Sequence, residues 1–322
     1  MLRRVLARAD RFLLLLIATV ALAAVLPARG EVAVWVEHST VAAVALLFLL
    51  YGARLAPQAI WAGLANWRLQ SMVFASTYAF FPLVGLGVAA ATRAWLPREV
   101  VDGLLFLCLL PSTVQSSIAF TSIARGNVPA ALCAASLSNL AGVILTPLLV
   151  AHLLTQASGG LSLAALEEIA LQILLPFAIG QAIRPWAATW LRAHPTLTSV
   201  VDRGSVLVVV YAAFSAGVVA GIWTRLSPLT LVAVLAVSLV VLAIVIAGTT
   251  IASRAAGFPV EDEIATVFCG SKKSMASGIP MAAILFPAAS VGLIVLPLMI
   301  FHQAQLFVCA WLARRYSVRA AE

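Results

Sequence analysis

Two adjacent lysines, Lys272 and Lys273, sit in the run CGSKKSMASG (Cys269 to Gly278), and they are the only lysines in the chain. The residues around them are apolar, so both ammonium groups fall inside a hydrophobic stretch. A buried ammonium costs at least about 2.5–3.5 kcal/mol on membrane-insertion scales, so it demands partners. Three kinds of chemistry follow. The amine can bond to neighbouring carbonyls, it can attract an anion, or it can gain and lose a proton as part of a cycle. Ser271 and Ser274 flank the pair. A second polar run, CLLPSTVQSS (Cys108 to Ser117), offers Ser112, Thr113, Gln115, Ser116 and Ser117. Further polar candidates inside apolar stretches are Ser138 and Asn139, then His302 and Gln303 with Gln305 following, and Gln70, Ser76 and Thr77. Hydroxyls and amides of this kind also serve as hydrogen bonds between helices. His302 is a candidate proton relay or a hydrogen-bonded packing group.

What is missing narrows the chemistry. None of the twelve acids lies inside an apolar stretch: each falls at the end of one or in a loop. Cys108, Cys133, Cys269 and Cys309 form no CxxC pair, and no histidine stands at metal-ligand spacing from them. They read as buried free thiols.

The elements that position these groups follow from composition. The 322 residues are 63% hydrophobic and only 10% charged, with a mean hydropathy of +1.08. No soluble fold covers that much apolar surface with so few charges. The chain therefore reads as an all-α integral membrane protein. That excludes a nucleic-acid binder, a secreted disulfide scaffold and a cytosolic enzyme, although the net charge is +8. A span needs about 20 residues. Apolar runs between Arg, Pro, Gly and acidic punctuation give ten: 12–27, 38–55, 69–91, 99–124, 128–154, 165–183, 204–223, 228–252, 261–284 and 287–313. The segment 56–68, with Trp61 and Trp67, reads as an interfacial connector. The first span has signal-peptide-like features, but the repeat described below favours its retention.

Orientation follows from the arginines. Two of the 20 basic residues are lysine, which leaves 18 arginines. With the N-terminus inside, 14 lie on the cytoplasmic side; Arg29, Arg93, Arg98 and Arg225 lie on the other. The expectation is a multi-pass protein of the inner (plasma) membrane with both termini cytoplasmic.

The spans fall into halves, 1–154 and 155–322, whose span starts are offset by about half the chain. Five spans per half makes the second half inverted, an architecture common in secondary transporters. The fourth and ninth spans correspond. Each opens with acids (Glu99 and Asp102; Glu261, Asp262 and Glu263), reaches a cysteine, then turns polar. From Glu261 to Lys272 a helix rises about 17 Å, near mid-bilayer. Unwound backbone at that depth is tolerated only when buried in protein or lining a wet cavity. Residues near 111–116 and 270–275 are expected to be non-helical and close together.

LPSTVQSSIAFTSIARGN (Leu110 to Asn127), LTPLL (Leu145 to Leu149), FCGSKKSMASGIPM (Phe268 to Met281) and IFHQAQ (Ile300 to Gln305) resemble the bile acid:sodium symporter superfamily. The last two resemble its sodium-bile-acid-symporter-like (SBF-like) branch. The resemblance implies ten helices in two inverted five-helix repeats, the fourth and ninth broken and crossing, with a panel and a core domain that give alternating access. It implies an organic anion as substrate. Ser116 and Ser117 match the family's sodium-site positions after the fourth-span break, and Ser138 and Asn139 match polar positions of the fifth span. Ser116, Ser117 and Asn139 are thus the sodium candidates. The carboxylate and glutamine that ligate sodium in the ninth span of other members are replaced here by CGSKKS.

The leading expectation is a secondary transporter of an organic anion, sodium-independent or proton-coupled, with no cofactor beyond its coupling ion. A sodium-coupled symporter of the bile-acid type is the alternative within the class. A non-transporting regulator of ion homeostasis is the alternative from another class. An intramembrane hydrolase lacks its nucleophile motif and acids, and an ATP-driven pump lacks GxxxxGK[ST]. The expected partners are a small organic anion and membrane lipid, not nucleic acid, and a monomer is compatible with the pattern.

Overall fold

The fold is described from a computed structural model, which describes residues 11–54, 66–154, 170–221 and 226–319. Among these the chain is all-helical. We number the helices α1 (Arg11–Val25), α2 (Glu31–Arg54), α3 (Trp67–Thr92), α4 (Arg98–Leu109), α5 (Val114–Ile123), α6 (Val128–Leu153), α7 (Leu175–Ala193), α8 (Pro195–Val219), α9 (Pro228–Ala255), α10 (Val260–Gly270), α11 (Met275–Leu285) and α12 (Ala288–Arg319). Six of them (α2, α3, α6, α8, α9 and α12) are long and apolar enough to cross a membrane. The bent pair α4–α5 makes a seventh. Helix also occupies the remaining expected spans, but α1 is short, and α10 and α11 are separated by a break.

Several boundaries differ from the sequence reading. α2 starts seven residues earlier than the expected second span, at Glu31, where an acid suits a helix N-terminus. α8 starts at Pro195, whose missing N–H is no loss in a first turn. Most of the expected connector 56–68, with Trp61, lies outside the described residues, as does the start of the sixth span.

Two compact units emerge, each drawing on both halves of the sequence. The first comprises residues 1–54, 164–225 and 279–293. Its centre is the close approach of α2 and α7. A Cβ added at Gly52 would lie 2.1 Å from the Phe177 carbonyl oxygen, and one at Gly180 would lie 2.0 Å from that of Leu49. Only glycine allows backbones this near, a common device between membrane helices. Arg54 makes a two-point ion pair with Asp202 at 2.8 and 2.6 Å, which ties α2 to α8.

The second unit comprises residues 55–163, 226–278 and 294–322. It holds α3 to α6, α9, α10, the start of α11 and most of α12. α3 passes through a π-helical turn at Ser76–Phe80. Pro82 explains it, because proline cannot donate to, and clashes with, the carbonyl four residues back. α4 stops at Leu109 because Pro111 follows Leu110, and a residue before proline is pushed to extended backbone; Leu110 has φ −77° and ψ 157°. The chain then restarts as α5 after a bend of 61°. The breaks span 110–113 and 271–274. Both are shorter than the expected 111–116 and 270–275, and Ser116 is already helical.

Candidate functional site

The two breaks meet. Ser274 N–H donates to the Pro111 carbonyl at 2.9 Å, so the unwound segments hydrogen-bond directly. Each break leaves carbonyls without a helical partner, and in a dry interior every one needs a donor. Side chains supply them in sequence. On the first break, Thr146 Oγ1 donates to the Leu109 carbonyl at 2.9 Å, Lys273 Nζ to that of Leu110 at 2.6 Å, and Asn139 Nδ2 to that of Ser112 at 2.7 Å. On the second, Ser117 Oγ donates to the Phe268 carbonyl at 3.0 Å, Ser112 Oγ to that of Cys269 at 2.6 Å, and Ser76 Oγ to that of Gly270 at 2.9 Å. Ser271 Oγ bonds back to the Val267 carbonyl at 2.6 Å. Ser138 Oγ accepts from Ser112 N–H at 3.0 Å.

Both lysines are buried at 0% exposure, and among the described residues neither has an ion pair. Lys273 Nζ donates to the carbonyls of Thr77, at 3.0 Å, and Leu110, and lies 4.1 Å from the Phe81 ring centroid. Thr77 belongs to the π turn, and Leu110 caps the C-terminus of α4. The lysine thus meets the negative end of a helix dipole, where a cation is favoured by up to about 2 kcal/mol. Two charge-assisted bonds at about 1.5–3 kcal/mol each and a desolvated cation–π contact near 2 kcal/mol offset its burial. Lys272 Nζ points elsewhere. It donates to the Ser116 carbonyl at 2.8 Å and lies 4.0 Å from the Phe120 ring centroid and 5.1 Å from that of Phe268. Adjacent helix-edge residues diverge, and the two amines have separate surroundings.

Gln305 completes the second break. Its Oε1 accepts from Lys273 N–H at 2.9 Å while its Nε2 donates to the Lys273 carbonyl at 3.0 Å. The same Nε2 meets His302 Nδ1 at 2.8 Å. With Oε1 committed to an N–H, the amide must present hydrogen to the imidazole, so Nδ1 accepts. Gln305 is wholly buried and clamps the main chain of Lys273 through both its N–H and its C=O.

The sequence candidates divide accordingly. Ser112, Ser117, Ser138, Asn139, Ser271, Lys272, Lys273 and Ser274 all meet at the breaks. Thr113 Oγ1 hydrogen-bonds Ser116 Oγ beside them. His302 joins through Gln305. Gln115 is exposed in the first turn of α5, and Gln303 is half-buried and outside this network among the described residues. Thr146 and Phe81 are not among the sequence candidates, whereas Ser76, Thr77 and Gln305 stand there only as polar residues inside apolar stretches. A polar residue facing an expected break was the only signal for Gln305. Thr77 takes part through its backbone oxygen, which no side-chain pattern reveals.

A family model described as the SBF-like CPA transporter family matches residues 10–318. The chain belongs to this family. Its similar proteins include "Uncharacterized protein PA2026" of Pseudomonas aeruginosa, 52% identical over 311 residues, covering 96% of this chain and 93% of that one. "Putative symporter YfeH" of Escherichia coli K12 is 49% identical over 307 residues, covering 95% and 92%. "Sodium/bile acid cotransporter 7" of Rattus norvegicus is 25% identical over 273 residues, covering 83% and 79%. With its spanning helices, the family member is a multi-pass membrane transporter of a small molecule and not an enzyme.

Proposed function

We propose that this family member is a secondary active transporter that carries a small organic anion by alternating access and does not require sodium. One observation carries the reading: two ammonium groups are buried where two broken helices meet, with no carboxylate paired to either among the described residues. The helices α5 and α11 begin at the same place, and helix N-termini favour anions. A sodium ion there would be repelled by two fixed positive charges. Lys273 takes carbonyls that a cation would otherwise coordinate, and so acts as a built-in cation that props the crossing. Proton coupling would run through an amine, or through His302, that gains and loses its proton.

The architecture in this reading is ten spans in two inverted repeats, 1–154 and 155–322. The unit holding both breaks is the core and the other unit is the panel. The arginine distribution supports cytoplasmic termini in the inner membrane. A second reading, sodium-coupled symport, is favoured by the cluster of hydroxyls at Thr113, Ser116 and Ser117. It also agrees with the name of the rat relative.

Flux into proteoliposomes separates the readings. Labelled carboxylates, sulfonates and bile acids are offered under imposed sodium or pH gradients. Saturable uptake of an anion, unchanged when sodium is replaced by potassium, is the expected result. Uptake that requires millimolar sodium would establish the second reading. No counterflow of any anion by correctly inserted protein would favour a non-transporting regulator.

A further inference from the structure

In the second unit, the C-terminal turns of α9 and the last third of α12 line a cleft of about 170 Å³. It is lined by Thr250, Arg254, Leu312, Arg315 and Tyr316. Arg254 is held in place: its Nε and Nη2 donate to Glu263 at 2.9 and 3.0 Å, and Tyr316 donates to the same carboxylate at 2.8 Å. Glu263 therefore neutralises Arg254. Arg315 is exposed, stacks over Trp311 with 4.9 Å to the ring centroid, and has no ion pair among the described residues. The cleft carries one positive charge in excess, with two guanidinium groups and two hydroxyl-bearing residues around it.

The surface beside it is apolar. Phe307, Trp311 and Val318 are exposed at 74%, 58% and 66%. Spacings of four and seven residues put them, with Arg315, on one face of α12. An apolar strip that leads to a guanidinium pair matches an acyl chain that leads to a phosphate. Basic pockets between membrane helices take lipid headgroups by this combination, and arginine forks suit phosphate oxygens.

We propose that this cleft is a binding site for an anionic phospholipid, with the phosphodiester between Arg254 and Arg315 and an acyl chain along Phe307 and Trp311. The site is separate from the crossing and does not depend on what the protein carries. A free phosphate would satisfy Arg315 and the N–H groups of Arg254 that Glu263 leaves open, but would leave the apolar strip uncovered.

Native mass spectrometry of the full chain released from detergent tests it, with phosphatidylglycerol and phosphatidylethanolamine supplied together. The expected result is a retained phosphatidylglycerol adduct favoured about tenfold or more. Arg315→Gln should reduce that preference several-fold. Arg315→Lys, which keeps the charge but not the fork, should fall between them. Arg192→Gln, an equal loss of charge on α7, should leave it unchanged. Equal retention of the two lipids would overturn the proposal, as would an Arg315→Gln preference equal to wild type. Displacement of the lipid by equimolar inorganic phosphate would also overturn it, marking a solute-anion site.

Discussion

Gln305→Leu isolates the clamp on the second break. The substitution is close to isosteric, and it removes the partners of both the N–H and the C=O of Lys273, at 2.9 and 3.0 Å. An unsatisfied buried N–H or C=O costs about 1–3 kcal/mol, so the two together cost about 2–6 kcal/mol. The leucine recovers little, because lipid is as apolar as the protein interior and offers no hydrophobic drive between helices. We expect at least about 2 kcal/mol of lost stability, which lowers the apparent Tm by roughly 4 °C or more for a chain of this size. The assay is thermal unfolding in one detergent at one scan rate, because membrane-protein unfolding is commonly irreversible and the midpoint then depends on rate. Gln303→Leu, on the same helix but outside the network, is the control and should shift the midpoint by roughly 1 °C or less. If Gln305→Leu melts with the control, the amide is not what holds the unwound segment, and the argument from unpaired carbonyls fails with it.

Lys273→Met keeps most of the length of the side chain and loses its charge. It should abolish anion flux with normal insertion, and Lys273→Arg should also impair it because a planar fork cannot reach both carbonyls as a compact ammonium does; wild-type flux across pH 6–8 in either would make the lysine dispensable. Gly103→Ala places a Cβ 2.4 Å from the Ile294 carbonyl oxygen, so the helices must part and expression of folded protein should fall sharply, as read by size-exclusion recovery. A reporter active only outside the cytoplasm, fused after Glu322, should stay silent; activity there would remove the ten-span arrangement.

Much of the site was legible because its physics is local. A charged or hydroxyl-rich run inside apolar sequence has to be partnered wherever the chain goes, so CLLPSTVQSS and CGSKKSMASG mark two breaks in the sequence itself. Pro111 ends α4 through its own ring, and Pro82 forces the π turn of α3 in the same way. The ends of the breaks were less legible. Ser116 reads as part of a polar run, yet it is helical, because serine tolerates either state and its neighbours decide.

The sequence alone determined that the chain spans a membrane, that it is helical, and that its polar groups concentrate in two runs inside apolar sequence. Those follow from composition and from the cost of bare backbone in lipid, which no fold evades. Which donor meets which carbonyl was decided only in three dimensions. Lys273 could have reached a substrate, a carboxylate or solvent. It reaches Thr77 and Leu110, 196 and 163 residues away, because α3 and α4 happen to end their regular hydrogen bonding beside it. Two lysines equal in sequence acquire different surroundings for the same reason, one between carbonyls under Phe81 and one against Phe120. An orphan carbonyl has no side-chain signature, so its partner becomes visible only when packing brings a donor within about 3 Å.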